Sequence, residues 1–198
     1  MSRCPKCGLQ FQCICNQLPV LDSQLKLSLL THENEFARPT NTGKWLVDAL
    51  PECHSYLWRR NEEKPELATQ LENKQQMPLL LFPHAHSIPL DQALQQCERT
   101  QQQPHFILLD ATWQEARKIE RKTHWLESVQ RVAFIPSAPS AYQLRRNQKP
   151  GELCTLEVAL ELLTALKEDH NAKQLNHFFR FMMASYLADK SGHRLQQE

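Results

Sequence analysis

Glycine is scarce: the chain carries four in 198 residues. Dinucleotide and phosphate loops need clustered glycines, because backbone N–H groups must approach the ligand with no Cβ in the way. No Gly-x-Gly-x-x-Gly exists here. Thr40-Asn-Thr-Gly-Lys44 lacks the first glycine of a phosphate loop, and Trp45 stands where Ser or Thr would hold magnesium. ATP hydrolysis and ordinary NAD binding therefore find no support. Neither does a serine hydrolase, for want of a Gly-x-Ser-x-Gly elbow. Charge of one sign is also missing. The net charge is +1, so any nucleic-acid contact must come from local patches. No apolar run is long enough to span a bilayer, and Met1-Ser-Arg-Cys-Pro5 carries no signal-peptide core. A soluble, cytoplasmic chain without a membrane partner is expected.

Cysteine, by contrast, is concentrated. Four of the seven fall within residues 4–15, as Cys4-Pro-Lys-Cys7 and Cys13-Ile-Cys15 with five residues between the pairs. Zinc takes four thiolates tetrahedrally, and two close pairs can wrap one ion with little chain to order. Gly8 supplies the turn after the first pair. A disulfide framework and a redox dithiol are the alternatives, but a thioredoxin-like site would follow a strand inside a βαβ unit. A closed set of Cys4, Cys7, Cys13 and Cys15 leaves no open coordination position, so the expected Zn2+ is structural. Residues 1–20 are read as a zinc knuckle and 21–198 as one α/β catalytic domain. Cys53, Cys97 and Cys154 are scattered and read as small buried residues.

Beyond the knuckle, strands and helices alternate. Strands are predicted at Leu25–Leu30, His54–Trp58, Met77–Phe82, Phe106–Leu109 and Val129–Ile135. Helices are predicted at Asn41–Leu50, Glu63–Asn73, Leu90–Thr100 and Trp113–Trp125. This alternation implies a mostly parallel sheet with helices on both faces. Two helices close the chain. One runs from Glu152 to Glu168, and one carries Leu175, Phe178, Phe179, Met182, Met183, Tyr186 and Leu187 as a core stripe.

Chemistry is sought where strands end, since ligands of open α/β sheets bind outside the carboxyl ends of strands. Phe106 to Leu109 stops at Asp110, and Ala111, Thr112 and Trp113 lead into a helix. The competing reading is an ordinary helix cap. The loops 31–43 and 136–155 are long enough to suggest function. Arg117, Lys118, Arg121 and Lys122 lie on adjacent turns of one helix, and Arg145, Arg146 and Lys149 lie in the longest loop. Both clusters are candidates for phosphate contact. For the helix cluster the alternative is a solvated face paired with Glu115 and Glu120.

Taken in order, the paired cysteines, Thr40-Asn-Thr-Gly43, Asp110-Ala-Thr-Trp113, Ser140-Ala-Tyr-Gln-Leu-Arg145 and Leu153-Cys-Thr-Leu-Glu157 resemble the DTW-domain family of tRNA-uridine aminocarboxypropyltransferases. The resemblance runs from Cys4 to about Tyr186. It implies a fold similar to the SPOUT methyltransferases, with a C-terminal trefoil knot that pattern reasoning would never propose. It also implies S-adenosylmethionine as co-substrate and tRNA as partner. The 3-amino-3-carboxypropyl group would pass to N3 of a uridine, in the variable loop by the same resemblance, and methylthioadenosine would leave.

By that resemblance Phe82, Pro83, Leu109, Asp110, Pro136, Ser140, Tyr142, Arg145, Leu153, Cys154 and Thr155 would form the cofactor pocket. Asp110 would take the N3 proton, with Thr112 and Trp113 beside it. Asn41, Arg117, Lys118, Arg121, Arg146 and Lys149 would meet RNA, and Tyr142 would be placed to stack. The N-terminal extension of longer members is expected to be missing. No obligate protein partner is implied, and the oligomeric state is open. Two rival classes stay in view. One is a related RNA methyltransferase or rRNA-directed enzyme; the other is a nonenzymatic RNA-binding protein that reads with its knuckle.

Overall fold

The computed structural model describes residues 2–60, 62, 65–144 and 152–196. Six strands, β1 (Lys26–Thr31), β2 (Cys53–Leu57), β3 (Gln76–Leu81), β4 (Ile88–Pro89), β5 (Gln103–Asp110) and β6 (Gln130–Ala133), form one sheet in the order β2-β1-β5-β3-β6-β4. Every pairing is parallel. Side chains alternate across a strand, and that alternation sorts the core into two layers. Leu27 and Leu79 both sit opposite Phe106 in the register and enter one buried cluster with Trp45, Leu156 and Phe178. Leu30, Leu80, Ile107 and Leu109 point the other way, into a second cluster with Leu67, Ile119 and Leu126. A parallel sheet covered on both faces requires such apolar runs on each side.

Seven helices are described: α1 (Glu33–Phe36), α2 (Gly43–Ala49), α3 (Glu66–Gln70), α4 (Leu90–Thr100), α5 (Trp113–Lys122), α6 (Thr155–Ala165) and α7 (Asp169–Lys190). Three depart from the pattern-based bounds for identifiable reasons. Pro65 precedes α3, which covers only Glu66–Gln70 of the span read as Glu63–Asn73. The helix after Asp110 stops at Lys122. There Thr123 Oγ1 donates to Ile119 O at 2.6 Å, and the chain tightens into a 3-10 turn at His124–Leu126. α6 starts at Thr155 rather than Glu152, because Cys154 is its N-cap, and it ends before Lys167, which takes a left-handed φ of 63°. Neither α1 nor β4 is long enough to show a period. The aromatic and methionine stripe of α7 is core: Phe178, Phe179 and Met182 are all buried.

The knuckle packs into the same core as the sheet. Cys7, Leu9 and Ile14 belong to the cluster that holds Trp45 and Phe178. Near the end of α7, Asp189 Oδ1 accepts the N–H groups of Gln10 and Phe11 at 2.7 and 2.9 Å. Among the described residues no helix is long and apolar enough to cross a membrane.

Candidate functional site

Adjacent strands β5, β3 and β6 end side by side, and their carboxyl ends frame a cleft of about 140 Å³. Phe82 and Pro83 follow β3, Leu109 comes from β5, and Pro136 and Leu153 bound the long connection to α6. Trp113 and Thr155, the first residues of α5 and α6, complete the wall. Six of the expected cofactor residues (Phe82, Pro83, Leu109, Pro136, Leu153 and Thr155) thus line one cavity. The Trp113 indole packs beside Phe82, with ring centroids 6.2 Å apart. Thr155 contributes the one side-chain hydroxyl among the described residues of the wall. An apolar cleft with a single converging polar group suits a largely apolar ligand whose polar atoms are met by backbone.

Asp110 lies directly behind this wall and is 2% exposed. Its side chain points to the same face as Phe106 and Leu108, toward the starts of α2 and α6. Asn41 Nδ2 donates to Oδ2 at 2.8 Å, and Thr155 Oγ1 donates to Oδ1 at 2.7 Å. Gly43 is pressed against the carboxylate: a Cβ at that position would stand 2.7 Å from Oδ2. Here lies the reason for one of the few glycines, a close approach that no side chain permits. The acid is not the helix cap. Thr112 caps α5, accepting from Glu115 N–H while Glu115 Oε2 accepts the Thr112 N–H and hydroxyl. Thr112 is therefore a local fastener.

A second layer of charge supports the hub. Glu35 is buried, pairs with Arg38 and accepts from Asn41 Nδ2 at 3.0 Å. Arg38 forks onto Glu115 at 3.2 and 3.3 Å, and Asn34 Nδ2 donates to the same carboxylate at 2.9 Å. Burial acts to raise the Glu115 pKa. Hydrogen bonds from Asn34, Thr112 and Arg38 outweigh it and bring the group down to about 2. Glu35, Arg38 and Gly43 escaped the sequence reading as functional residues. The rarity of glycine and the motif Thr40-Asn-Thr-Gly43 were the available signals for Gly43, whereas only their place in the long loop 31–43 marks Glu35 and Arg38.

Several of the other expected residues are turned inward or lie away from the cleft. Asn41 is 6% exposed with its amide committed to Glu35, Asp110 and the Lys44 N–H, so it is not a free RNA contact. Tyr142 is 5% exposed, and its hydroxyl donates to Thr40 O at 2.8 Å. Its ring offers no face on which a base could stack. Ser140 donates to Glu157 Oε2, which also accepts from Cys154 N–H, while Glu157 Oε1 accepts from Ala141 N–H. These residues pin the long loop to α6 and do not line the cleft. Cys154 is the buried cap of α6. Arg145, Arg146 and Lys149 lie outside the described residues.

The basic face of α5 is a different matter. Its two acids are spent elsewhere: Glu115 on Arg38 and Asn34, Glu120 on Arg131 at 2.7 Å. Arg117, Lys118, Arg121 and Lys122 make no ion pair among the described residues, and the first three are exposed. Self-neutralising intrahelical pairs, the alternative reading of this stripe, are absent there. Lys118 Nζ stands 5.7 Å from the Trp58 ring centroid, which extends the cationic surface toward the end of β2.

At the N-terminus the four thiols converge. All four sulfurs lie within 4.8 Å of one another, with Cys4–Cys15 at 3.8 Å and Cys4–Cys13 at 3.6 Å. Zinc–sulfur bonds of about 2.3 Å in a tetrahedron put sulfurs about 3.8 Å apart, so the donor set and its spacing both suit zinc. A disulfide would need about 2.05 Å, and the cysteines are free.

Comparison with known proteins follows the same lines. A DTW-domain family model matches residues 1–187. The tRNA-uridine aminocarboxypropyltransferase 2 of Mus musculus is 27% identical over 176 residues, covering 85% of this chain and 58% of its own length. Its counterpart in Drosophila melanogaster is 27% identical over 183 residues, covering 87% and 70% respectively. That of Macaca fascicularis is 27% identical over 174 residues, covering 84% and 57%. The chain thus spans just over half the length of the two mammalian relatives. No solved structure matches.

Proposed function

Because the chain belongs to the DTW-domain family, we propose that it transfers the 3-amino-3-carboxypropyl group of S-adenosylmethionine to N3 of a tRNA uridine. The reading rests on one juxtaposition: Thr155 lines the apolar cleft, and its hydroxyl is bonded to Asp110 behind it. Phe82, Pro83, Leu109, Pro136, Leu153 and Trp113 would hold the co-substrate. A sulfonium makes each of its attached carbons electrophilic, so selecting the carboxypropyl carbon over the methyl is a matter of orientation.

In the reaction a bond forms from uridine N3 to that carbon while the carbon–sulfur bond breaks. The electron pair stays on sulfur, and methylthioadenosine leaves. N3 must lose its proton, yet Asp110 is too buried to reach it directly. Thr155 bridges the gap. Its own proton is directed to Asp110 Oδ1, so its oxygen can accept from N3–H while Asp110 receives the hydroxyl proton. Asp110 then acts through Thr155, and Asn41 and Gly43 hold Asp110 in place. The α5 cations would bind tRNA phosphates. Cys4, Cys7, Cys13 and Cys15 would hold zinc as a closed set, which supplies folding energy and no Lewis-acid position. The SPOUT-like C-terminal trefoil knot belongs to this reading.

Nucleoside mass spectrometry tests the proposal. Bulk tRNA from cells lacking the enzyme is incubated with the protein and S-adenosylmethionine. A uridine heavier by an aminocarboxypropyl group, with methylthioadenosine released, is the expected result. A methyl-sized gain would keep the cleft and overturn the chemistry. Binding without any mass change would leave an RNA-binding role.

A further inference from the structure

The knuckle and the Asp110 hub share one stretch of backbone, residues 39–43. On the knuckle side, Pro39 O accepts two side-chain hydrogen bonds, from Tyr186 Oη at 3.0 Å and from Lys44 Nζ at 2.8 Å. Each donor also grips a carbonyl of the cysteine loop: Tyr186 shares its single proton between Pro39 O and the nearer Cys7 O at 2.6 Å, and Lys44 reaches Lys6 O at 3.2 Å. Gly8, at φ +75°, lies against the same proline, and a Cβ there would be 3.3 Å from Pro39 Cβ. On the other side of the segment, Asn41 and Gly43 contact Asp110, and Thr42 Oγ1 accepts from Leu156 N–H at 3.3 Å.

We propose that the metal-loaded knuckle is a positioning clamp on residues 39–43, fastened by Tyr186 and Lys44, so that metal occupancy sets the Asn41–Asp110–Thr155 geometry. Among its described residues the cysteine loop contains a single 3-10 turn (Cys15–Gln17) and no other regular element, so ligation adds to the burial of Cys7, Leu9 and Ile14 and to the Asp189 hydrogen bonds in ordering its carbonyls. Those carbonyls are the anchor points of Tyr186, which is buried, and of Lys44. A loop that loses its metal moves Cys7 O and Lys6 O, and both fasteners then lose a partner while still bonded to Pro39. Coupling of this kind is reciprocal: loosening the fasteners must weaken metal binding by the same factor. This role differs from reading RNA with the knuckle, and it holds whatever reaction the cleft performs.

Amide hydrogen exchange on the full chain tests it, with metal content followed by elemental analysis. The reporter is the Lys44 amide, which donates to Asn41 Oδ1 at 2.9 Å. Stripping the metal with a chelator is expected to speed exchange at residues 41–46 by about tenfold, while amides of β1, β3 and β5 keep their protection. Tyr186→Phe, which deletes only the hydroxyl, is expected to speed the same amides with metal still bound and to lower metal affinity in chelator competition by a similar factor. Lys44→Met serves as a second variant, and Lys44→Arg, which restores a donor, is expected to recover protection. Unchanged exchange at 41–46 after chelation overturns the proposal. So does a uniform rise across the sheet, which would mean general destabilisation. No transferase activity enters this readout, so its failure and that of the proposed reaction are separable.

Discussion

Asn41 and Asp110, 69 positions apart, are joined by a 2.8 Å hydrogen bond that ties the entry of α2 to the end of β5. The same carboxylate takes the Thr155 hydroxyl from the first turn of α6. One buried acid therefore collects three segments at the carboxyl edge of the sheet, and Thr155 links it to the cleft.

That link makes Thr155 the sharpest single test of the chemistry. Thr155→Val keeps the shape and removes the proton relay, and its turnover is expected to fall by about 10²–10⁴-fold with tRNA affinity unchanged. Thr155→Ser restores the hydroxyl and is expected to recover most of the rate. Steady-state kinetics and a binding isotherm on each variant decide the matter; equal rates for Val and wild type would remove Thr155 from the mechanism.

Gly43→Ala places a methyl group 2.7 Å from the present position of Asp110 Oδ2. The hub must open to admit it, at a cost of about 1–3 kcal/mol. A lower Tm accompanied by lost transfer activity is the expected outcome, and an unshifted Tm would show that the carboxylate yields freely.

Acid should unfold the protein in two windows. His105 is 1% exposed, between Ser28 and Gln76; burial first, then Lys26 and His54, pushes it down from 6.5 to about 4. Its folded pKa is depressed, so its contribution is full above pH 6.5 and is lost as pH falls toward 4. Glu115 follows the same sign from 4.5 to about 2. The buried His105 is worth on the order of 3 kcal/mol at most, and Glu115 less, because solvent screens its partly exposed ion pairs. Denaturant titrations from pH 8 to 3 should show both declines, and His105→Gln should flatten only the upper one.

The α5 stripe makes an ionic-strength prediction. Arg117→Gln, Lys118→Gln and Arg121→Gln should each reduce the salt slope of tRNA binding by about one for every phosphate no longer neutralised. Fluorescence anisotropy across a salt series measures it. A triple variant with an unaltered slope would move the RNA surface elsewhere.

Cys4→Ser should halt tetrahedral ligation and lower the Tm, because Cys7, Leu9 and Ile14 belong to the main core. Elemental analysis showing no metal in the wild-type protein, with an unchanged melting curve for the variant, would refute a structural zinc.

Much of this was legible from the chain alone. Short apolar runs such as Leu79–Leu81 and Phe106–Leu109 identify strands, because a sheet buried on both faces needs apolar residues on each side of the pleat. Cysteine pairs can be read as a metal site, because their ligands are neighbours in sequence. The order of the motifs from Cys4 to Glu157 places the cleft residues in one family. Other matters needed the third dimension. That Asn41 and Tyr142 turn inward, that Glu115 and Glu120 pair with Arg38 and Arg131 instead of the cations of their own helix, and that Asp110 is bonded to the cleft residue Thr155 all follow from the strand order β2-β1-β5-β3-β6-β4 and the helices packed on it. Local periodicity specifies which face of a segment is buried. Which segments then meet depends on contacts between residues tens of positions apart, and only the assembled sheet and its packed helices decide those.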